Sequence, residues 1–149
     1  MAASESDLAP EAPARLSSAQ VLARLHECGI RVTAQRRQIA ELLLATAQHL
    51  SAEQVTEALA HSGQRVAKAT VYNTLNLFAA RGLIRQLCVD ATRSWFDSNV
   101  QSHYHFHNQA TGELTDVALP EVQFSRLPDP PAGMEVAGID MVIRLKARE

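Results

Sequence analysis

The stretch KATVYNTLNLFAARGLIRQLCVDATRSWFDS, residues 68–98, decides the fold because its periodicity changes at Gly82. Before that glycine, Val71, Leu75 and Phe78 recur at helical spacing. After it, LIRQLCV and SWFDS are rich in β-forming residues and flank the turn-like DATR, which predicts a β-hairpin. A helix that leads into a hairpin is the order of a winged helix-turn-helix, in which the last helix enters the major groove of DNA.

Three shorter helices are predicted upstream of this stretch. Each begins at residues whose side chains cap helices: Ser17 or Ser18, Thr33, and Ser51 with Gln54. Downstream, the sequence predicts strands around 103–108 and 113–117, a short helix near 120–126 and a long final strand over 134–147. The apolar excess of that last strand indicates burial on both faces, as at a subunit interface.

Composition favours a folded protein and excludes several classes. The 149 residues are 46% hydrophobic, yet the apolar runs are far shorter than the ~20 residues of a membrane span. Residues 1–15 are small, acidic and rich in proline and alanine, without the features of a signal peptide, which predicts a disordered tail. Cys28 and Cys88 form no paired-thiolate motif, so we expect a cytoplasmic protein without disulfides or structural zinc.

Charge is unevenly distributed along the chain. Residues 15–93 carry ten Lys and Arg against five Asp and Glu, whereas residues 94–149 carry four against eight. The basic first half predicts an anionic partner. The acidic second half also contains three closely spaced histidines, which together predict a cation site.

The basic half includes a polar surface on, and just before, the fourth helix. Its residues are Arg65, Lys68, Thr70, Tyr72 and Asn73. Lys and Arg neutralise phosphates, while Thr, Tyr and Asn bond phosphates or base edges. An ordinary solvated helix face has a similar composition, but the hairpin that follows and the local positive charge favour double-stranded DNA.

The segment SHYHFHN, residues 102–108, places His103, His105 and His107 at alternate positions. On a strand, all three imidazoles share one face and the intervening aromatic rings share the other. Such a face is typical of a metal site, a phosphate-handling site or an exposed polar strip. The signature of the histidine-triad nucleotide hydrolases has apolar residues after the third histidine, and Asn108 breaks it.

Two carboxylates favour the metal interpretation. Asp97 ends the second strand of the hairpin, and a turn at QATG would carry Asp116 back toward His103 and His105. Mixed imidazole and carboxylate ligands suit iron, manganese or zinc.

Several of these segments resemble a known family. GIRVTAQRRQIAELL, ATVYNTLNLFAARGLI, SWFDSN and SHYHF are similar to the ferric uptake regulator family of bacterial metal-sensing repressors. Within that family, FDSNVQSHYHF and LPDPPAGMEVAGIDMVIRLK resemble the iron response regulator branch, which controls iron and haem genes.

The resemblance implies an α+β homodimer that binds a pseudo-palindromic operator under control of iron(II) or manganese(II). It implies a winged-helix DNA-binding domain over 16–97 and a metal-binding and dimerisation domain over 98–149. The family's metal ligands fall here on His49, Asp97, His103, His105 and Asp116. The branch also implies haem sensing, although Tyr104 stands where its members often have a third histidine. The candidate haem ligands are His103, His105 and His107.

Two other functions fit the same residues. A peroxide sensor of the same family would use bound iron to oxidise a ligand such as His49 or His103. A non-haem iron enzyme would activate oxygen with two histidines, a carboxylate and open coordination positions. We expect a regulator rather than an enzyme, because the candidate ligands are numerous enough to fill the coordination sphere.

Overall fold

The computed structural model describes residues 15–45 and 48–149. The predicted disordered tail therefore lies outside the described residues, except for Arg15. The chain divides into two units, the first ending at Val100 and the second spanning Gln101–Glu149. Within the described ranges, no helix is both long enough and apolar enough to cross a membrane.

In its described residues, the first unit contains four helices and one three-stranded antiparallel sheet. The helices are α1 (Ser18–Glu27), α2 (Ala34–Leu44), α3 (Ala52–His61) and α4 (Lys68–Ala80). The strands are β1 (His49–Ser51), β2 (Arg85–Cys88) and β3 (Ser94–Asp97), in the order β1-β3-β2. The predicted hairpin is the β2–β3 pair, so helix α4 leads directly into the wing.

Local sequence determines where these helices begin and end. Ser17 and Ser51 each form the capping box that starts a helix, and the Thr33 side chain caps α2, as predicted. Gly63 and Gly82 follow α3 and α4 with φ of +77° and +76°. Glycine adopts this left-handed conformation without the steric cost that a Cβ atom imposes, so each helix stops there.

The helices and the wing share one apolar core. The predicted stripe of α4, Val71, Leu75 and Phe78, is fully buried in it, and Phe96 of β3 joins it from the wing. Because one face of α4 is buried in the core, only its opposite face can contact a partner.

The second unit is built on a sheet with the strand order β5-β4-β6. Its strands are β4 (Tyr104–Asn108), β5 (Leu114–Val117) and β6 (Val142–Leu145), with one 3-10 turn, Leu119–Glu121, after β5. Strand β5 runs antiparallel to β4 across the predicted QATG turn, and β6 runs parallel to β4.

Three details differ from the sequence-based predictions. Strand β1 was not predicted, because three residues are too few to show a periodicity. The final strand covers only Val142–Leu145 of the predicted 134–147, since a strand needs a partner and β4 pairs with those four residues. The helix predicted near 120–126 is the single 3-10 turn at Leu119–Glu121.

Candidate functional site

Strands β4 and β5 bring two histidines and a carboxylate of the second unit together. His103 directly precedes β4, and His105 lies opposite Asp116 in the β4–β5 register. The Asp116 Oδ1 atom is 3.3 Å from His103 Nε2 and 3.6 Å from His105 Nε2. The two imidazole rings meet edge to face, with their centroids 4.5 Å apart. One ligand atom from each of the three side chains lies within 4.8 Å of the other two.

The His103 ring is oriented by the backbone. Its Nδ1 lies 2.5 Å from the carbonyl oxygen of Gln101. Because a carbonyl can only accept, Nδ1 is the donor in this contact, and Nε2 is the ring nitrogen that faces Asp116. Metal-binding histidines are commonly oriented in this way, with the second ring nitrogen donating to a backbone carbonyl. The orientation of the His103 ring therefore suits metal ligation through Nε2.

A histidine and a carboxylate of the first unit form a second pair. Antiparallel pairing of β1 with β3 places His49 opposite Asp97, and His49 Nε2 is 3.2 Å from Asp97 Oδ2. The other carboxylate oxygen, Oδ1, accepts the Asn99 N–H at 2.8 Å. The residue before His49 is also anchored, because the Gln48 side chain donates to the Leu42 carbonyl at 2.6 Å. These contacts hold the His49 and Asp97 side chains in a defined geometry.

The chemistry of both groups fits a divalent metal ion. Asp97 is only 1% exposed, and an ionised carboxylate is costly to bury unless positive charge or hydrogen bonds compensate it. The donors are imidazole nitrogens and carboxylate oxygens without thiolates, a set that suits iron(II), manganese(II) or zinc(II). The first-unit pair supplies two protein ligands and the second-unit group supplies three, so an ion at either would need water or further side chains to complete its coordination.

His107, the third predicted haem candidate, lies further along β4. It is 8% exposed, and its Nδ1 has no hydrogen-bond partner among the described residues. Its neighbours in the sheet register are Leu114 and Arg144. The cluster of candidate metal ligands does not include it. Haem binding through His103, His105 and His107 stays a prediction.

The predicted DNA-contacting residues lie on α4 and just before it. Arg65, Lys68 and Asn73 are exposed, while Thr70 and Tyr72 are half-buried. A groove of about 290 Å³ runs beside them between α4 and the start of α2. Its lining residues are Thr33, Gln35, Arg36, Thr70, Asn73, Thr74 and Leu77. The polar face of α4 thus continues onto the N-terminal end of α2.

A contact between helices constrains the Tyr72 side chain. Its hydroxyl donates to Glu53 Oε1 of α3 at 2.5 Å. This hydrogen bond is the main reason that the pKa of Glu53 is lowered and the pKa of Tyr72 is raised. Both shifts have the same cause, since the bond requires an ionised carboxylate and a protonated phenol.

Sequence reasoning identified the candidate ligands and the α4 surface but missed two features. Glu53 stands in the first turn of α3, where an acidic residue is ordinary because of the helix dipole, so nothing pointed to its contact with Tyr72. Arg36 lies in the first turn of α2, but its place in the groove depends on how α2 packs against α4. No local pattern could have revealed either contact.

Comparisons with known proteins agree with this architecture. The model of the ferric uptake regulator family matches residues 27–143. The peroxide-responsive repressor PerR of Staphylococcus aureus strain Mu50 is 32% identical over 101 residues, which is 68% of this chain and 68% of that protein. A structure of the ferric uptake regulator from Pseudomonas aeruginosa with manganese matches with a TM-score of 0.67 and 28% identity. That match covers 86% of this chain and 98% of the other.

A second solved structure supports the fold alone. The ferric uptake regulator of Vibrio cholerae matches with a TM-score of 0.65 at 23% identity, over 84% of this chain and 98% of the other. These matches confirm the predicted α+β fold, with its winged helix-turn-helix followed by a smaller α+β unit. By its sequence and its fold, this chain belongs to the ferric uptake regulator family.

Proposed function

We propose that this protein is a DNA-binding transcriptional regulator that responds to iron(II) or manganese(II) and controls genes of iron or haem homeostasis. The observation that carries the proposal is the arrangement of His103, His105 and Asp116, in which the Gln101 carbonyl orients the His103 ring so that its Nε2 faces Asp116. Family membership favours a regulator over the non-haem iron enzyme that the same residue types allow.

In this proposal, one ion takes ligands from both units. His49 and Asp97 belong to the unit that carries α4, whereas the other three ligands belong to the second unit. The ion's role is to neutralise the carboxylates and to tie the two units to one another. Because the tied and untied states would present α4 differently, metal binding and DNA binding become coupled.

In this proposal, a homodimer of the protein binds the operator. Two copies related by a two-fold axis would present two α4 helices to the half-sites of a pseudo-palindrome. Apolar side chains of the second unit support an interface there, since Phe124, Leu127, Met134 and Val136 are exposed in the single chain. Such a regulator would act where its DNA is, in the cytoplasm, without a membrane partner.

Peroxide sensing is a second candidate, favoured by the similarity to the peroxide-responsive repressor. Oxidation of a ligand histidine such as His49 or His103 would then release the metal and change DNA affinity. Exposing the iron-loaded and manganese-loaded proteins to hydrogen peroxide, followed by peptide mass spectrometry, tests this. One added oxygen on a ligand histidine in the iron form alone supports peroxide sensing, and an unmodified iron form argues against it.

The proposed function is tested by measuring metal and DNA binding together. Protein purified without chelator is analysed for metal. The affinity for a duplex that the protein itself selects from a random pool is then measured with and without manganese(II), iron(II) and haem. We expect one metal per chain and a change in DNA affinity that follows metal occupancy. Metal binding with unchanged DNA affinity would contradict the regulatory mechanism.

A further inference from the structure

The hydrogen bond between Tyr72 and Glu53 connects two helices that have different places in a winged helix. Tyr72 lies in the second turn of α4, the helix that the fold directs toward DNA, and Glu53 lies in the first turn of α3. At 2.5 Å, the bond has the length of a charge-assisted contact between a phenol and a carboxylate. The lowered pKa of Glu53 keeps that carboxylate ionised at neutral pH.

Both ends of the Tyr72 side chain are restrained. Its ring packs against the apolar core, and its hydroxyl is held by Glu53. A tyrosine has only two rotatable side-chain bonds, so contacts at the ring and at the hydroxyl are enough to select one orientation. A side chain ordered before binding loses less conformational entropy when its partner arrives.

The position of Glu53 is electrostatically unusual for a DNA-facing surface. It is exposed, and it attracts Lys68, which begins α4. A carboxylate near DNA repels the phosphates whatever the base sequence, so its presence weakens binding to all duplexes. A gain that depends on sequence would offset this repulsion, and the orientation of Tyr72 offers such a gain, since its ring is suited to contact with a thymine methyl group.

We propose that Glu53 is a specificity-determining positioning residue, whose carboxylate holds Tyr72 in the orientation in which α4 reads operator bases. The inference rests on the proposed function, because it requires that α4 contacts DNA. It goes further by assigning sequence discrimination to a residue of α3. The competing explanation is that the bond only joins α3 to α4 and stabilises the fold.

The test compares binding to two duplexes with full-length, metal-loaded protein at one salt concentration. One duplex is selected by the wild-type protein from a random pool, and the other has the same bases in scrambled order. The variants are Glu53→Ala, Glu53→Gln, Tyr72→Phe and the double variant Glu53→Ala/Tyr72→Phe. Glu57→Ala is the matched control, since it removes an exposed carboxylate one turn further along α3. Circular dichroism confirms that each variant is folded.

We expect Glu53→Ala and Tyr72→Phe each to lower the ratio of selected to scrambled affinity by roughly 2- to 10-fold, the cost of ordering one side chain on binding. The double variant should lose no more than either single variant, because both remove the same contact. Glu53→Gln should retain most of the ratio, since its amide oxygen can accept the phenol proton. Glu57→Ala should leave the ratio unchanged.

Two outcomes overturn the inference while leaving the proposed function intact. In one, Glu53→Ala keeps the wild-type ratio of selected to scrambled affinity. In the other, the double variant loses as much of that ratio as the two single variants lose together. A wild-type protein that shows no metal-dependent preference for the selected duplex is a different result. It would overturn the proposed function and this inference with it.

Discussion

Replacing His49 with alanine should separate metal binding from its effect on DNA. The substitution removes one imidazole from the first unit, while the backbone pairing of β1 with β3 does not depend on that side chain. His103, His105 and Asp116 remain, so we expect weakened but measurable metal binding. Allosteric coupling between two sites is typically about 1–3 kcal/mol, or roughly 5- to 150-fold in affinity. In His49→Ala, the ratio of the DNA affinity with metal to the DNA affinity without metal should fall from that range toward one.

The structure also sets the pH dependence of metal affinity. An imidazole must be neutral to bind metal, so in acid each ligand histidine has one proton to release. As the pH is lowered, the metal association constant should therefore fall more steeply in the wild type, with three histidine ligands, than in His49→Ala, with two. Exposed His61, at the end of α3, provides the control. His61→Ala should keep the wild-type slope and the wild-type coupling.

The assay titrates manganese(II) against a competing chelator at stepped pH and reads DNA affinity by fluorescence anisotropy at each metal concentration. The single tryptophan, Trp95, stands two residues before Asp97 and gives an independent optical signal from the first unit. If His49→Ala keeps both the wild-type slope and the wild-type coupling, the first unit supplies no histidine to the metal. His49 would then lie outside the metal site, and the reasoning that gives this imidazole a share in the ion would be refuted.

Three further predictions concern DNA contact, assembly and acid stability. Lys68→Ala should reduce, by about one, the slope of the logarithm of the DNA association constant against the logarithm of salt concentration. Arg148→Ala, in the second unit, should leave this slope unchanged. If Lys68→Ala has the wild-type slope, Lys68 does not contact a phosphate. Ile143→Asp on strand β6 should give monomers by analytical ultracentrifugation and weaken operator binding, and a dimeric, active variant would exclude β6 from the interface. In denaturation at stepped pH, Tyr72→Phe should be slightly less stable than wild type at neutral pH. Because folding lowers the pKa of Glu53 from its ordinary value of 4.5, that difference should disappear as the pH falls through the lowered pKa, and a difference that persists in acid would contradict the assignment.

Local sequence determined most of the secondary structure of this protein. Ser17, Thr33 and Ser51 mark the starts of helices because a side-chain cap acts within three residues. The apolar stripe of α4 follows from a periodicity of 3.6 residues, and the strands of the wing follow from β-forming residues on either side of a turn; a single segment displays each of these patterns. The alternation of His103 and His105 likewise predicted that both imidazoles lie on one side of the chain, because alternate side chains of an extended segment point the same way.

Tertiary structure decided the contacts that turn these residues into candidate sites. Strand β1 exists only because β3 pairs with it, and that register places His49 Nε2 at 3.2 Å from Asp97 Oδ2, although the residues are far apart in sequence. The bond from Tyr72 to Glu53 spans 19 residues and two helices. Such contacts depend on strand register and on how helices pack. Both are set by burial of the whole core rather than by any one segment, so no local pattern encodes them.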